Sequence, residues 1–90
     1  MAFVSVIIPA LNEEDPIGQV VRAIAATGVP DEIIVVDNGS TDATAARAAQ
    51  AGARVVAQPQ RGYGRACRAG VEAVDANCEV IVFLDGDGSD

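Results

Sequence analysis

The sequence predicts an α/β domain, a parallel sheet with helices on both faces. Four short apolar runs rich in β-branched residues are spread along ninety residues, separated by three stretches that read as helices. The runs are nearly continuous instead of alternating, the pattern of strands buried on both faces. Strands joined by helical crossovers lie parallel. The length suits one small domain, spanning residues 1–90.

The elements follow in order. Phe3 to Ile8 is the first strand, and Pro9 is expected to stop it. Asp15 followed by Pro16 reads as a helix start, a side-chain cap and then a residue preset to helical φ. Ile17, Val20, Val21 and Ile24 then recur at i, i+3, i+4 and i+7, one apolar face, and Gly28 and Pro30 end the helix. Ile33 to Val36 repeats the buried-strand pattern and runs into Asp37-Asn38-Gly39. Ser40 or Thr41 is placed to cap a second helix, Ala43 to Ala51, closed by Gly52. Its face is mostly alanine, so it can lie close to a sheet. Arg54 to Ala57 is a weaker third strand. After a loop from Gln58 to Tyr63, a third helix carries Cys67, Gly70, Val71 and Val74 on one stripe. Val80 to Leu84 is the fourth strand, followed at once by Asp85-Gly86-Asp87.

Composition removes several function classes. Thirteen acids against six arginines, with no lysine, give a formal net charge of −7. No basic footprint for nucleic acid is present. The absence of histidine excludes imidazole acid–base catalysis and histidine–metal sites. Cys67 and Cys78 fit neither a disulfide framework nor a zinc site, and read as small apolar residues in a reducing compartment. No signal peptide is expected, and no apolar stretch approaches the ~20 residues of a membrane span.

Candidate chemistry gathers where the strands end. In open α/β sheets, ligands bind beyond the carboxyl ends of the strands, where strand order reverses. Those ends carry Asn12-Glu13-Glu14, Asp37-Asn38 and Asp85-x-Asp87. Two carboxylates one residue apart after an apolar strand can face one hard cation, with Gly86 leaving room for a ligand; the same triplet also suits a solvated acidic turn. Asp37, at a strand end, is placed to bond a ribose or a base. Asp42 is a structural acid of the first helical turn. Gly62-Tyr63-Gly64-Arg65-Ala66-Cys67 imitates a dinucleotide fingerprint but opens the third unit instead of the first, and has Cys at its third position. Arg61 or Arg65 can pair with a diphosphate, or remain solvated.

Four segments in order, Val4 to Glu14, Ile34 to Asp42, Arg61 to Ala66 and Phe83 to Asp87, resemble a family 2 glycosyltransferase, and more narrowly the dolichyl-phosphate mannosyltransferase and polyprenyl-phosphate glycosyltransferase branch. The resemblance covers the whole chain. It implies the amino-terminal half of a GT-A fold, a Rossmann-like sheet of strand order 3-2-1-4. It further implies a nucleoside diphosphate sugar (a UDP- or GDP-sugar) as donor, inverting transfer, and Mg²⁺ or Mn²⁺ as cofactor. Carried over position by position, Pro9, Ala10, Leu11 and Glu13 line the nucleoside pocket, and Asp37 with Asn38 meets base or ribose. Arg65 and the Gly62–Gly64 turn border the donor site, beside Asp85 and Gly86, and Asp85 and Asp87 match the metal-binding DxD pair. Two positions depart from the pattern. Leu11 stands where many members of the branch have an aromatic residue, and Ser89 where mannosyltransferases often carry Gln.

The resemblance places the catalytic base and the acceptor site, a polyprenyl phosphate in the full enzyme, beyond Asp90. The expectation is therefore a truncated donor subdomain without turnover. It is expected in the cytoplasm, reaching the membrane surface in the full-length enzyme, and forming a homodimer through its apolar fourth strand. A non-catalytic nucleotide-binding module and a Rossmann NAD(P) oxidoreductase fragment are the alternatives.

Overall fold

The computed structural model describes residues 2–86. Seven elements alternate: β1 (Val4–Ala10), α1 (Glu14–Ala26), β2 (Glu32–Asp37), α2 (Thr44–Gln50), β3 (Arg54–Ala57), α3 (Tyr63–Ala73) and β4 (Val80–Phe83). All strands are parallel, in the order β3-β2-β1-β4. The α/β class and the expected 3-2-1-4 order are both present.

The topology follows from one rule. Parallel crossovers are right-handed. The first two move outward from β1 to β2 to β3, so α1 and α2 share one face. The third returns past β1 to reach β4, which puts α3 on the other face. The core divides accordingly. Val6, Ile8, Ala10 and Val35 pack with Ile17 and Val21 of α1 and Ala48 of α2. Ile7, Ile34 and Val36 point the opposite way, onto Ala66 of α3. Successive strand residues thus serve different helices, the period of two expected of a pleated strand.

Four local expectations are corrected. Pro9 does not stop β1, which runs to Ala10 with Pro9 opposite Val36. In a parallel ladder the polar groups of alternate residues face alternate neighbours. The Ile7 carbonyl accepts from Leu84 N–H at 3.0 Å and the Ala10 carbonyl from Asn38 N–H at 2.9 Å. Pro9 therefore turns its missing donor toward β4, which has already ended at Phe83, so the ladder to β2 loses nothing.

The α1 helix starts one residue before Asp15, with Glu13 at its cap position and Pro16 in the first turn, where no N–H is needed. Neither Ser40 nor Thr41 caps α2, whose cap position is Ala43 with no side-chain cap; Asp42 accepts Thr44 N–H at 2.9 Å in the turn just before the helix. The buried stripe of α3 is Ala66 and Gly70, flanked by Ala69, Ala73 and Val74, while Val71 is exposed. Small residues win because this helix lies against the strands. A Cβ on Gly70 would stand 2.4 Å from Ile7 Cγ2.

The amino-terminal edge is fixed by carboxylates. Asp31 accepts Val4 N–H at 2.7 Å, and Glu32 accepts both the Ser5 hydroxyl at 2.6 Å and Asp75 N–H at 2.8 Å. Cys67 and Cys78 are half-buried free thiols. No helix among the described residues is long and apolar enough to cross a membrane.

Gly70→Ala should destabilise the domain by about 1–3 kcal/mol, since Ile7 is fully buried and has nowhere to retreat. Gly64→Ala, on the same helix with nothing within 4 Å of the added carbon, should not. Urea unfolding of the two variants checks the contrast.

Candidate functional site at the carboxyl edge

Strand order reverses between β1 and β4, and the loops after the strands converge beyond that seam. Side chains from distant loops hold them together. Asn12 sits at φ 53°, a left-handed conformation that Asn tolerates. Its N–H donates to Ser40 Oγ and its Oδ1 accepts Thr41 N–H, both at 2.9 Å. Glu13 N–H donates to Thr44 Oγ1 at 2.9 Å and Glu14 N–H to Asp42 Oδ2 at 3.3 Å. The leading N–H groups of α1 are thus satisfied by Asp42 in the loop before α2 and by Thr44 at the start of α2.

Asn38 performs the second splice. Its Nδ2 donates to the carbonyls of Gln58 at 2.8 Å and Gln60 at 2.9 Å, and its Oδ1 accepts Gly62 N–H at 3.0 Å. This aligns the β3–α3 loop with the end of β2. Asp37 is also engaged, Oδ1 accepting Ser40 N–H at 3.0 Å.

The convergence leaves a cleft of about 300 Å³. Pro9, Ala10, Leu11 and Glu13 supply the β1 side, Asp85 and Gly86 the β4 side, and Asn38, Arg61, Gly62, Tyr63 and Ala66 the remainder. Gly86 is buried at the seam. A Cβ there would stand 3.2 Å from both Ala10 Cβ and Glu13 Cγ. Glu13 and Asp85 are carboxylates on one cavity, with Arg61 as its cation. The Arg61 Nη2 reaches the Gly39 carbonyl at 3.4 Å.

Of the residues singled out from sequence, Pro9, Ala10, Leu11, Glu13, Asn38, Arg61, Gly62, Asp85 and Gly86 line this cleft. Asp37, Gly64 and Arg65 are not among its lining residues. Arg65 instead donates to the Arg61 carbonyl at 3.2 Å and faces a separate polar groove with Gln58, Gln60 and Glu72. Asp87 lies outside the described residues, as does Ser89. Tyr63 entered the sequence reading only within the Gly62–Gly64 turn, and Ala66 only within the Arg61 to Ala66 segment, neither with a role of its own; the available signal was that Tyr63 is the chain's single tyrosine.

The family model for glycosyl transferase family 2 matches residues 5–90. The chain belongs to that family. It is 46% identical over 86 residues to an uncharacterized glycosyltransferase of Mycobacterium tuberculosis, covering 96% of this chain and 37% of the relative. It is 43% identical to glucosyl-3-phosphoglycerate synthase of Mycolicibacterium smegmatis, covering 93% of this chain and 30% of that protein. The crystal structure of the Mycobacterium tuberculosis glucosyl-3-phosphoglycerate synthase with UDP superposes with a TM-score of 0.85 at 38% identity, over 96% of this chain and 34% of that one. The same enzyme with Mn²⁺, UDP and glucosyl-3-phosphoglycerate gives 0.84 at 37% identity, over 94% and 33%.

The chain thus spans about a third of the length of these relatives. The GT-A architecture is shared with these structures. The narrower likeness to dolichyl-phosphate mannosyltransferases finds no support in these relatives, and the oxidoreductase alternative gives way to the family.

The Asp42 carboxyl is held below its ordinary pKa, first by the Thr44 hydroxyl and then by the N–H groups of Thr44 and Glu14. A depressed carboxylate stabilises the fold above its unfolded pKa of about 3.9 and loses that contribution as pH falls through the lower folded value. Wild type should therefore exceed Asp42→Asn in stability near pH 7, with the gap closing below about pH 3. Denaturant unfolding at the two pH values reads this.

Proposed function

We propose that residues 1–90 form the donor-binding subdomain of this glycosyltransferase, holding a nucleoside diphosphate sugar in the cleft between β1 and β4. The supporting observation is the seam itself, which brings Asp85 and Gly86 against Pro9–Glu13 in one cavity. UDP-glucose is the donor favoured over a GDP-sugar, because related synthases were crystallised with UDP and with UDP-glucose.

Mg²⁺ or Mn²⁺ fits the donor set. The cleft offers carboxylate oxygens and no imidazole, as a hard cation prefers. The cation would be held by one or two carboxylates, here Asp85 and Asp87, with the diphosphate supplying further oxygens. Related synthases were crystallised with Mn²⁺ or Mg²⁺ and UDP. When bound, the cation neutralises charge on the departing diphosphate. Within the cleft, Asp85 would help hold that cation, and Gly86 lets the end of β4 close against Ala10 and Glu13. Arg61 offers a positive charge to the same phosphates.

For the whole protein, a phosphoglycerate-type acceptor is favoured over polyprenyl phosphate, since related synthases carry that acceptor in their names and complexes. The free thiols accord with a cytoplasmic site.

Calorimetric titration with UDP and GDP, with and without Mn²⁺, tests the site. UDP should bind only with metal, and Asp85→Asn or Asp87→Asn should weaken it at least tenfold. Metal-independent binding, or equal binding by both variants, would sink the assignment.

The edge strand β4 exposes Val80, Ile81, Val82 and Phe83, each by 36–42%. Unpaired apolar edges recruit strands, so pairing of two copies through β4 is the inferred oligomer. Sedimentation should show concentration-dependent dimerisation abolished by Ile81→Lys; a monomer for both proteins would refute it.

A further inference from the structure

The large apolar side chains of the chain fall into two groups. Most are buried in the sheet faces or exposed along β4. Leu11, Val29, Tyr63 and Val71 belong to neither, and of these four exposed residues only Leu11 and Tyr63 line the cleft. Tyr63 is the more conspicuous, since 64% of it is exposed on a helix whose buried contacts are made by Ala66 and Gly70.

Its backbone, in contrast, is firmly set. Tyr63 is the first residue of α3, and the residue before it is pinned twice. Gly62 N–H donates to Asn38 Oδ1, and the Gly62 carbonyl accepts Ala66 N–H, both at 3.0 Å. Gly62 also takes φ 144°, a conformation other residues rarely adopt. A side chain mounted on so constrained a hinge occupies a defined place in the cleft wall.

Among the described residues, the other aromatics are Phe3, before β1 at the opposite edge, and Phe83 on β4. Neither lines the cleft. A nucleoside diphosphate has one planar apolar part, its base, and π-faces are recognised by stacking on aromatic side chains. We propose that the nucleobase of the donor stacks on Tyr63, with Leu11 supplying aliphatic contact in the same cleft. This rests on the donor-site reading above and deepens it. Tyr63 recognises the base, whereas Asp85 and the cation recognise the diphosphate, so the two halves of the ligand are held by separable groups.

The sequence supplies its own probe. The chain has one tyrosine and no tryptophan, so emission excited near 280 nm reports Tyr63 alone. UDP with Mg²⁺ should quench that emission, after correction for nucleotide absorbance, while inorganic pyrophosphate with Mg²⁺ should bind without quenching. By calorimetry, Tyr63→Ala and Tyr63→Leu should lose about tenfold in UDP affinity, and Tyr63→Phe should retain it. Pyrophosphate affinity should be unchanged in all three. Far-ultraviolet circular dichroism confirms that each variant is folded, as expected for an exposed position. UDP binding without quenching, or equal UDP affinity in Tyr63→Ala, overturns the stacking role and leaves the donor site standing. If neither UDP nor pyrophosphate binds wild type, the donor site fails and the stacking role fails with it.

Discussion

The carboxamide of Asn38 is the interaction on which the carboxyl edge depends. Its two N–H groups and its oxygen are all committed to the backbone between Gln58 and Gly62, and it is 6% exposed. Only Asn or Gln offers two donors and an acceptor on one planar group, and Gln would be a methylene too long for the same three bonds. The entry of α3 is thereby registered to the end of β2. The second splice, through Asn12, Asp42 and Thr44, registers α1 to α2 in the same way. Three loops that share no local sequence become a single rim. Asn38 thus forms part of the cleft wall with both amide hydrogens already committed, and positions the loops that frame the cleft.

Beneath that rim, the two faces of the sheet are packed to different depths. The α1 side is filled by branched chains, Ile17 and Val21 on Val6, Ile8 and Val35. The α3 side brings backbone close to the strands at Ala66 and Gly70. Close approach sets the height of Gly62 and Tyr63 above the sheet, and hence the depth of the cleft on that side. Packing and site geometry are here the same constraint.

Strands and the α1 face were legible in the sequence because each is a local pattern. Ile7 and Ile8 alternate sides, and Ile17, Val20, Val21 and Ile24 recur at helical spacing. The α3 stripe was misread because larger apolar residues, Cys67 and Val71, draw attention, while the surface actually buried is chosen by how near the sheet lies. Side-chain roles in the loops were hidden for another reason. Asn38 reaches across at least twenty residues and Asp42 across twenty-eight, beyond the range of any turn or capping rule. The acid excess was likewise ambiguous: Asp31, Glu32 and Asp42 hold backbone N–H groups, and only Glu13 and Asp85 among the described acids reach the cleft. Seven of the ten residues that the resemblance assigned to substrate line it, and the switch-point rule by itself locates only the edge. Which way Arg65 points along that edge depends on the turn of α3.

Pro9 has a consequence for how the sheet ends. In a regular parallel ladder, the residue two beyond Ile7 would donate its N–H to the Leu84 carbonyl and carry the pairing on. Proline has nothing to donate. It acts as a stop on a zipper: β1 and β4 can close as far as the bond between Ile7 and Leu84, and no further. Past that bond, Asp85 and Gly86 are released from strand geometry while β1 continues to Ala10 beside β2. One missing hydrogen thus limits the β1–β4 pairing on the side where the crevice opens.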